Sequence, residues 1–368
     1  MKIKLFICTF LVMVFTATVS VSACHFKFWG KKNVDKPVIE EKITQSKETE
    51  QKDLEILAAM DSKSSAVNQV WVGTFQLLWN DLIDEIIKHP IEFVGYKSLM
   101  AESLNKKAFT IDELSDAAYY KKWGLVSADL KNEIEKGIKD RFNETSDVLD
   151  SIDWTPAPEK YLLYAMLKKD FEYIKPFDKL EDGDFKGSDE PVKYFGVDRN
   201  TKYDVRNSVG VMFYNNSSDY AVSLESKQGD IVYLYRTNDD KTLSEYYRDM
   251  NDKSAEYKGS IRLKERDRFK APVIDFKAET SFPELCNKPI KNSDFIISQA
   301  IETIKFKMDE TGVKLKSEAA IVVGCTALPM PVEEPRYFYF NDKYVIFIKE
   351  KNKEPYFAMK VADAKKLQ

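Results

Sequence analysis

The last third of the chain constrains its fold most tightly. Ser298-Gln-Ala-Ile-Glu-Thr-Ile-Lys-Phe-Lys-Met-Asp-Glu-Thr-Gly312 reads as a long strand ending in a glycine. It opens into a small-residue segment, Ser317-Glu-Ala-Ala320, and then an irregular stretch through Ala327-Leu-Pro-Met330. The aromatic strand Tyr337-Phe-Tyr-Phe340 and the apolar run Lys343-Tyr-Val-Ile-Phe-Ile348 follow. From Val313 to Cys325 the odd positions are Val, Leu, Ser, Ala, Ile, Val and Cys, with Lys314, Lys316 and Glu318 between them. That period of two fits a strand able to enter a sheet with its apolar side inward.

The N-terminus carries an address. Met1-Lys-Ile-Lys4 is basic, Leu5 to Val21 is almost uncharged, and Val21-Ser-Ala-Cys24 follows. This is the pattern of a secretory signal with a small-residue cleavage site. The apolar run, about 17 residues, falls short of the ~20 that a spanning helix needs. Val-Ser-Ala-Cys also resembles the bacterial lipobox, in which the Cys is acylated and becomes the mature N-terminus. Two or three acyl chains on Cys24 would anchor the protein stably on the extracytoplasmic face of a membrane, the outer membrane if the host has one.

Loss of residues 1–23 removes Lys2 and Lys4 and no acid, leaving 54 basic and 60 acidic residues, formally −6. No basic stripe suited to nucleic-acid phosphates is legible in that mixed charge pattern. With Cys8 in the signal and Cys24 acylated, Cys286 and Cys325 remain, either as a disulfide or as two free thiols. His25 lies in the leader-proximal segment, so His89 is the one His of the body and no His-pair metal site can form. A Ser-His-Asp triad would have to rest on His89, which precedes Pro90 and reads as a capping residue at a helix end. None of the 13 glycines forms a dinucleotide or phosphate cradle. No catalytic residue and no cofactor are expected.

Residues 24–63 combine the acylated Cys with a polar, densely charged segment that reads as a flexible tether. The body is expected from Ser64 to Gln368. Val67, Val70, Trp71, Phe75, Leu78, Leu82 and Ile86 recur at helical spacing, which predicts a first helix. Thr110-Ile-Asp-Glu113 has the form of a capping box and predicts a second helix through about Trp123. Ser127 opens a third, with Leu130, Ile134, Ile138 and Phe142 on one face. After Trp154 the pattern changes to strands: Tyr161–Leu167, Val209–Tyr214, Tyr220–Leu224, Asp230–Tyr235, and more from Ser260 to Ala278, with one short helix at Leu243–Met250. Helices early and strands late give an α+β class, with large antiparallel or mixed sheets in the C-terminal half.

The order of these late segments resembles the serpin family. Leu162-Leu-Tyr-Ala-Met-Leu-Lys-Lys-Asp-Phe-Glu-Tyr-Ile-Lys-Pro-Phe177 is similar to a family strand and turn that ends in Pro-Phe. Val192-Lys-Tyr-Phe195, followed by strands at Tyr203 and Val209–Tyr214, is similar to the next sheet. Phe269-Lys-Ala-Pro-Val-Ile-Asp-Phe-Lys277 with Leu285, and Phe357-Ala-Met-Lys-Val361, match the later strands, Met359 standing where the family has Gly. The resemblance covers about residues 160–363. It implies a reactive loop with Gly312 and Ser317, Glu318, Ala319 and Ala320 as its hinge, Met330–Pro331 as the scissile position, and a protease as partner. Departures are specific: Val313 and Leu315 are bulky where inhibitory members are small, and Pro331 hinders most serine proteases. The segment before Trp154 is also shorter than a full serpin needs. A non-inhibitory binding or solute-binding lipoprotein is the alternative reading, and a hydrolase resting on His89 is the third.

Overall fold

The computed structural model describes residues 53–156, 158, 160–313 and 334–368. The signal, Cys24, the tether through residue 52, Ser317–Ala320, Cys325, Met330 and Pro331 lie outside the described residues.

Three sheets and a few helices make the body an α+β fold. The largest sheet has seven strands. At one edge lie β1 (Leu54–Leu57) and β2 (Asn68–Val72), followed by β17 (Phe357–Val361) and β16 (Tyr344–Glu350). The order then continues through β10 (Asp230–Arg236) and β9 (Asp219–Glu225) to β8 (Val209–Asn216). Every residue of β17 is buried, as are Tyr344–Ile348 of β16. Both faces of these central strands are covered, so they read as continuous apolar runs instead of alternating ones. Helix α5 (Leu243–Glu256), opened by a capping box of Thr242 and Glu245, sets Tyr247 against Phe347, with ring centroids 5.2 Å apart. Phe276, Phe347 and Phe357, core residues on the strand pattern, are all buried.

A second sheet runs β15 (Tyr337–Tyr339), β11 (Arg268–Pro272), β7 (Val192–Val197) and β6 (Asp178–Gly183). The third contains β3 (Tyr119–Leu125), β4 (Lys160–Leu167), β13 (Ile296–Asp309), β14 (Gly312–Val313) and β5 (Phe171–Glu172), with β12 (Ile274–Ser281) on the other edge of β13. Helix α3 (Ala128–Phe142) lies on this sheet, packing Leu130, Ile134 and Ile138 with Leu162 and Tyr164 of β4. Ser127 caps it as expected, its side chain accepting from the Leu130 N–H.

Four expectations are corrected. Val67–Val72 is not the start of a helix: the all-buried β2 occupies 68–72 between β1 and β17, and helix α1 begins at Thr74 and runs to Asp81. Val70, Trp71 and Val72 are strand formers, and sheet pairing decides a pattern that spacing alone assigned to a helix. The box at Thr110 makes no side-chain cap; two short 3-10 turns lead into β3, whose Tyr119–Leu125 pair with Leu167–Tyr161 of β4. The ordered body starts before Ser64, since Leu54–Leu57 pair in parallel with Asn68–Trp71 and bury Ile56 and Leu57. Tyr203 is not in a strand but heads the one-turn helix α4 (Tyr203–Arg206). A π-helical segment, Leu82–Ile87, continues directly from α1, and helix α2 spans Leu99–Leu104.

Candidate functional site

Strand β13 is the axis of the site. One edge pairs with β12 in an unbroken antiparallel ladder, Ile301–Met308 against Ser281–Ile274. The other edge is divided. At its lower end Ile296–Ala300 pair in parallel with Lys160–Leu163 of β4, around a bulge at Ser298. At its upper end Met308 and Asp309 pair with Val313 and Gly312 of β14. Between these ladders, Ile301–Lys307 has no strand partner on that edge among the described residues. Across the gap β4 continues through Tyr164–Leu167, and a cavity of about 50 Å³ lies between Leu167–Asp170 and Thr303–Lys307.

The side chains of β13 alternate across this opening. Ala300, Glu302, Ile304, Phe306 and Met308 are buried, while Lys305 is exposed and Ile301, Thr303 and Lys307 are half-buried. Glu302 is thus a carboxyl in an apolar phase. One oxygen accepts from the Thr74 hydroxyl at 3.2 Å and the carboxyl also accepts from the Phe75 N–H, while Oε2 has no partner. Burial pushes its pKa up to about 8. Gln299 Oε1 and Thr303 Oγ1 on the same strand are buried and unpaired as well.

The upper closure depends on Gly312. Its φ is +150°, and a Cβ there would stand 2.3 Å from the Phe171 carbonyl oxygen and 2.8 Å from the Glu172 Cα. Only glycine lets β14 lie between β13 and β5, where Gly312 pairs with Glu172 and Val313 with Phe171. Asp309 forms the preceding turn, its Oδ1 accepting from the Thr311 N–H at 2.8 Å. The carbonyls of Glu310 and Thr311 accept from Phe177 and Tyr173 N–H groups.

Beside the opening, Lys169, two residues beyond β4, joins two carboxylates, 2.9 Å from Asp230 and 2.6 Å from Glu350. Tyr356 OH donates to Asp230 at 3.0 Å, and Ser115 OH donates to Glu350 at 2.7 Å. Burial alone would raise the pKa of Glu350, but its bonds from Lys169, Ser115 and Lys353 hold it at about 2.

Of the residues singled out in the sequence, Gly312 and Cys286 are described. Gly312 lies two residues inside a hairpin and not at the end of β13. Cys286 is half-buried and in no disulfide among the described residues; its sulfur lies 3.3 Å from the Phe282 carbonyl oxygen, and burial raises its pKa. His89 Nδ1 lies 2.9 Å from the carbonyl oxygen of Pro90, a contact beyond the helix end that caps none of the helix carbonyls, and it lies outside the opening. Lys169, Asp230 and Glu350 had no legible signal, because their cluster joins segments distant in sequence. Glu302 had one: it interrupts the apolar phase of Ala300, Ile304, Phe306 and Met308. Among the described residues no group of three His, Cys, Asp or Glu could hold a metal ion.

No family model matches the chain, and no curated protein matches its sequence. Solved structures similar to it are serpins. Serpin48 of the insect Tenebrio molitor is 13% identical, with a TM-score of 0.39 over 78% of this chain and 95% of that one. Human glycosylated kallistatin is 13% identical, with a TM-score of 0.41 over 75% and 72%. A serpin from the trematode Schistosoma haematobium is 13% identical, with a TM-score of 0.38 over 63% and 62%.

Proposed function

We propose that this chain is an extracytoplasmic lipoprotein, anchored through Cys24, whose serpin-like body traps a protease by inserting a cleaved loop into its own sheet. The observation that carries the reading is the open edge Ile301–Lys307, already entered at its upper end by Gly312 and Val313. Extending the observed register of β14 sets Lys314 opposite Lys307 and Ala320 opposite Ile301, so seven hinge residues match a seven-residue gap. Paired residues share a sheet face, so Leu315, Ser317 and Ala319 would join Phe306, Ile304 and Glu302 on the buried side. A protease cutting near Met330 would free this strand, and its pairing would release the energy that distorts the attacking enzyme.

One observation favours a non-inhibitory binding scaffold on the same fold. Lys314 would face Lys307 and Lys316 would face Lys305, and like charges directly opposite are unfavourable by roughly 0.2–1 kcal/mol per pair. Asp275 and Asp309, 3.3 and 3.8 Å from Lys307, offset the first pair only. Limited proteolysis near Met330 followed by a melting curve, with and without reductant, separates the two. A trap melts well above its intact form once nicked, whereas a scaffold does not. Reductant also exposes any Cys286–Cys325 bridge that would pin the loop. For the anchor, a Cys24→Ala variant should leave the membrane fraction after signal cleavage; unchanged partitioning would refute lipidation.

A further inference from the structure

The chain has 47 lysines and nine arginines, yet six of those arginines lie in three segments that fold together: 199–206, 257–268 and 336. Three of the six are internal fasteners around Asp267, which is buried. Arg336 donates to the Asp267 carboxylate at 2.8 and 3.1 Å and to the Ser260 and Arg262 carbonyls. Arg206 donates to the Asp267 and Asp198 carbonyls, and Arg268 to those of Asp267 and Glu265. The other three, Arg199, Arg262 and Arg266, are exposed and make no ion pair among the described residues. Beside them stand Tyr203, 78% exposed, Ile261, 66% exposed, and Tyr337, the register partner of Arg268.

We propose that Arg199, Arg262 and Arg266, with Tyr203 and Tyr337, form a docking surface for the acidic face of a partner protein. A guanidinium fork matches a carboxylate in two parallel hydrogen bonds, which a lysine cannot do. Arginine and tyrosine are also the residues that dominate protein interfaces when their apolar surroundings exclude water, and Ile261 supplies such a surface. A uniformly charged polymer fits less well. Exposed Glu265 stands within the patch, with Asp204 there held by Lys175 at 3.1 Å, and would repel a continuous row of phosphates or sulfates, whereas a folded partner can space its carboxylates around it. The surface borders β15, through Tyr337 beside Arg268. It does not rest on the trap reading.

The test uses the full chain and a fluorescent peptide in which single Glu and Asp residues are spaced by Tyr, Leu and Ser, followed by anisotropy at low and high salt. Substituting R199E/R262E/R266E should weaken binding at least about tenfold without changing the melting temperature, and Y203A should weaken it less. R199A/R262A/R266A serves if charge reversal disturbs folding. Nicking the loop near Met330 should leave peptide binding unchanged, which keeps this result separate from the trap assay. The proposal is overturned if the peptide fails to bind or the triple variants bind it as wild type does. Tighter binding of a sulfated oligosaccharide or an oligo(dT) of equal charge overturns it equally.

Discussion

Replacing Glu302 with Gln probes the interior of the opening, because the buried carboxyl is there a proton store. Its pKa of about 8 stands above the 4.5 of an unperturbed Glu. Between those values the folded chain keeps a proton that the unfolded chain has lost. Stability from this residue is therefore complete below about pH 4.5 and declines as pH rises, levelling off above about pH 8. Each unit of difference is about 1.4 kcal/mol, so the full swing approaches ~5 kcal/mol. Gln imitates the protonated acid in size and can still accept from Thr74 and Phe75, but it does not titrate. Urea unfolding at pH 5 and pH 8.5, read as extrapolated free energies, should show wild type losing several kcal/mol more than E302Q. At the higher pH the variant should be the more stable protein. If the two differ by the same amount at both pH values, to within about 1 kcal/mol, Glu302 is ionised when folded and the dry interior assigned to the opening is wrong.

Three further outcomes are expected. Phe347→Ala, at a fully buried position of β16, should cost about 3–5 kcal/mol in urea unfolding, and a loss under about 1 kcal/mol would contradict its place in the core. Lys169→Met should destabilise by roughly 3–5 kcal/mol by leaving Asp230 and Glu350 buried together; an unchanged urea midpoint would mean that the cluster contributes nothing. Gly312→Ala should strip amide-exchange protection from Val313 and its partner Phe171 at a cost of roughly 1–3 kcal/mol, and retained protection would refute the tight approach to the Phe171 carbonyl.

What the sequence revealed depended on whether a segment's environment was encoded within it. The stripe of Leu130, Ile134, Ile138 and Phe142 needs one apolar surface, and α3 forms with those four residues buried. The late strands were legible for the same reason: Tyr344–Ile348 is apolar throughout because β16 is enclosed on both sides. At Val67–Val72 spacing misled, because two residues of separation in a strand and three or four in a helix select overlapping positions in a short apolar run. The Thr110 box failed for a non-local reason. Tyr119–Leu125 gains a seven-residue ladder with β4, which a capping motif cannot signal. The same limit applies to the site: Gly312 was visible as a strand-ending glycine, but its pairing with Glu172 joins residues far apart in the chain.

The opening in the third sheet combines two features that would bear in opposite directions on the proposed insertion. Its buried side is prepared for another strand: Phe306 and Ile304 flank the gap, and Glu302 holds an unpaired carboxyl oxygen there. Buried polar atoms without partners are unfavourable by roughly 1–3 kcal/mol each, a gradient toward any strand that satisfies them. The phase of the hinge agrees, since the odd positions from Val313 carry its apolar and small residues and Val313 already lies on the buried side. The outer side opposes entry, with Lys305 and Lys307 awaiting Lys314 and Lys316. Exposed charges are screened by salt over about 10 Å at 0.1 M, whereas the buried gradient is not. On the proposed trap reading, insertion would be a contest between an interior that favours it and a lysine surface that yields as ionic strength rises.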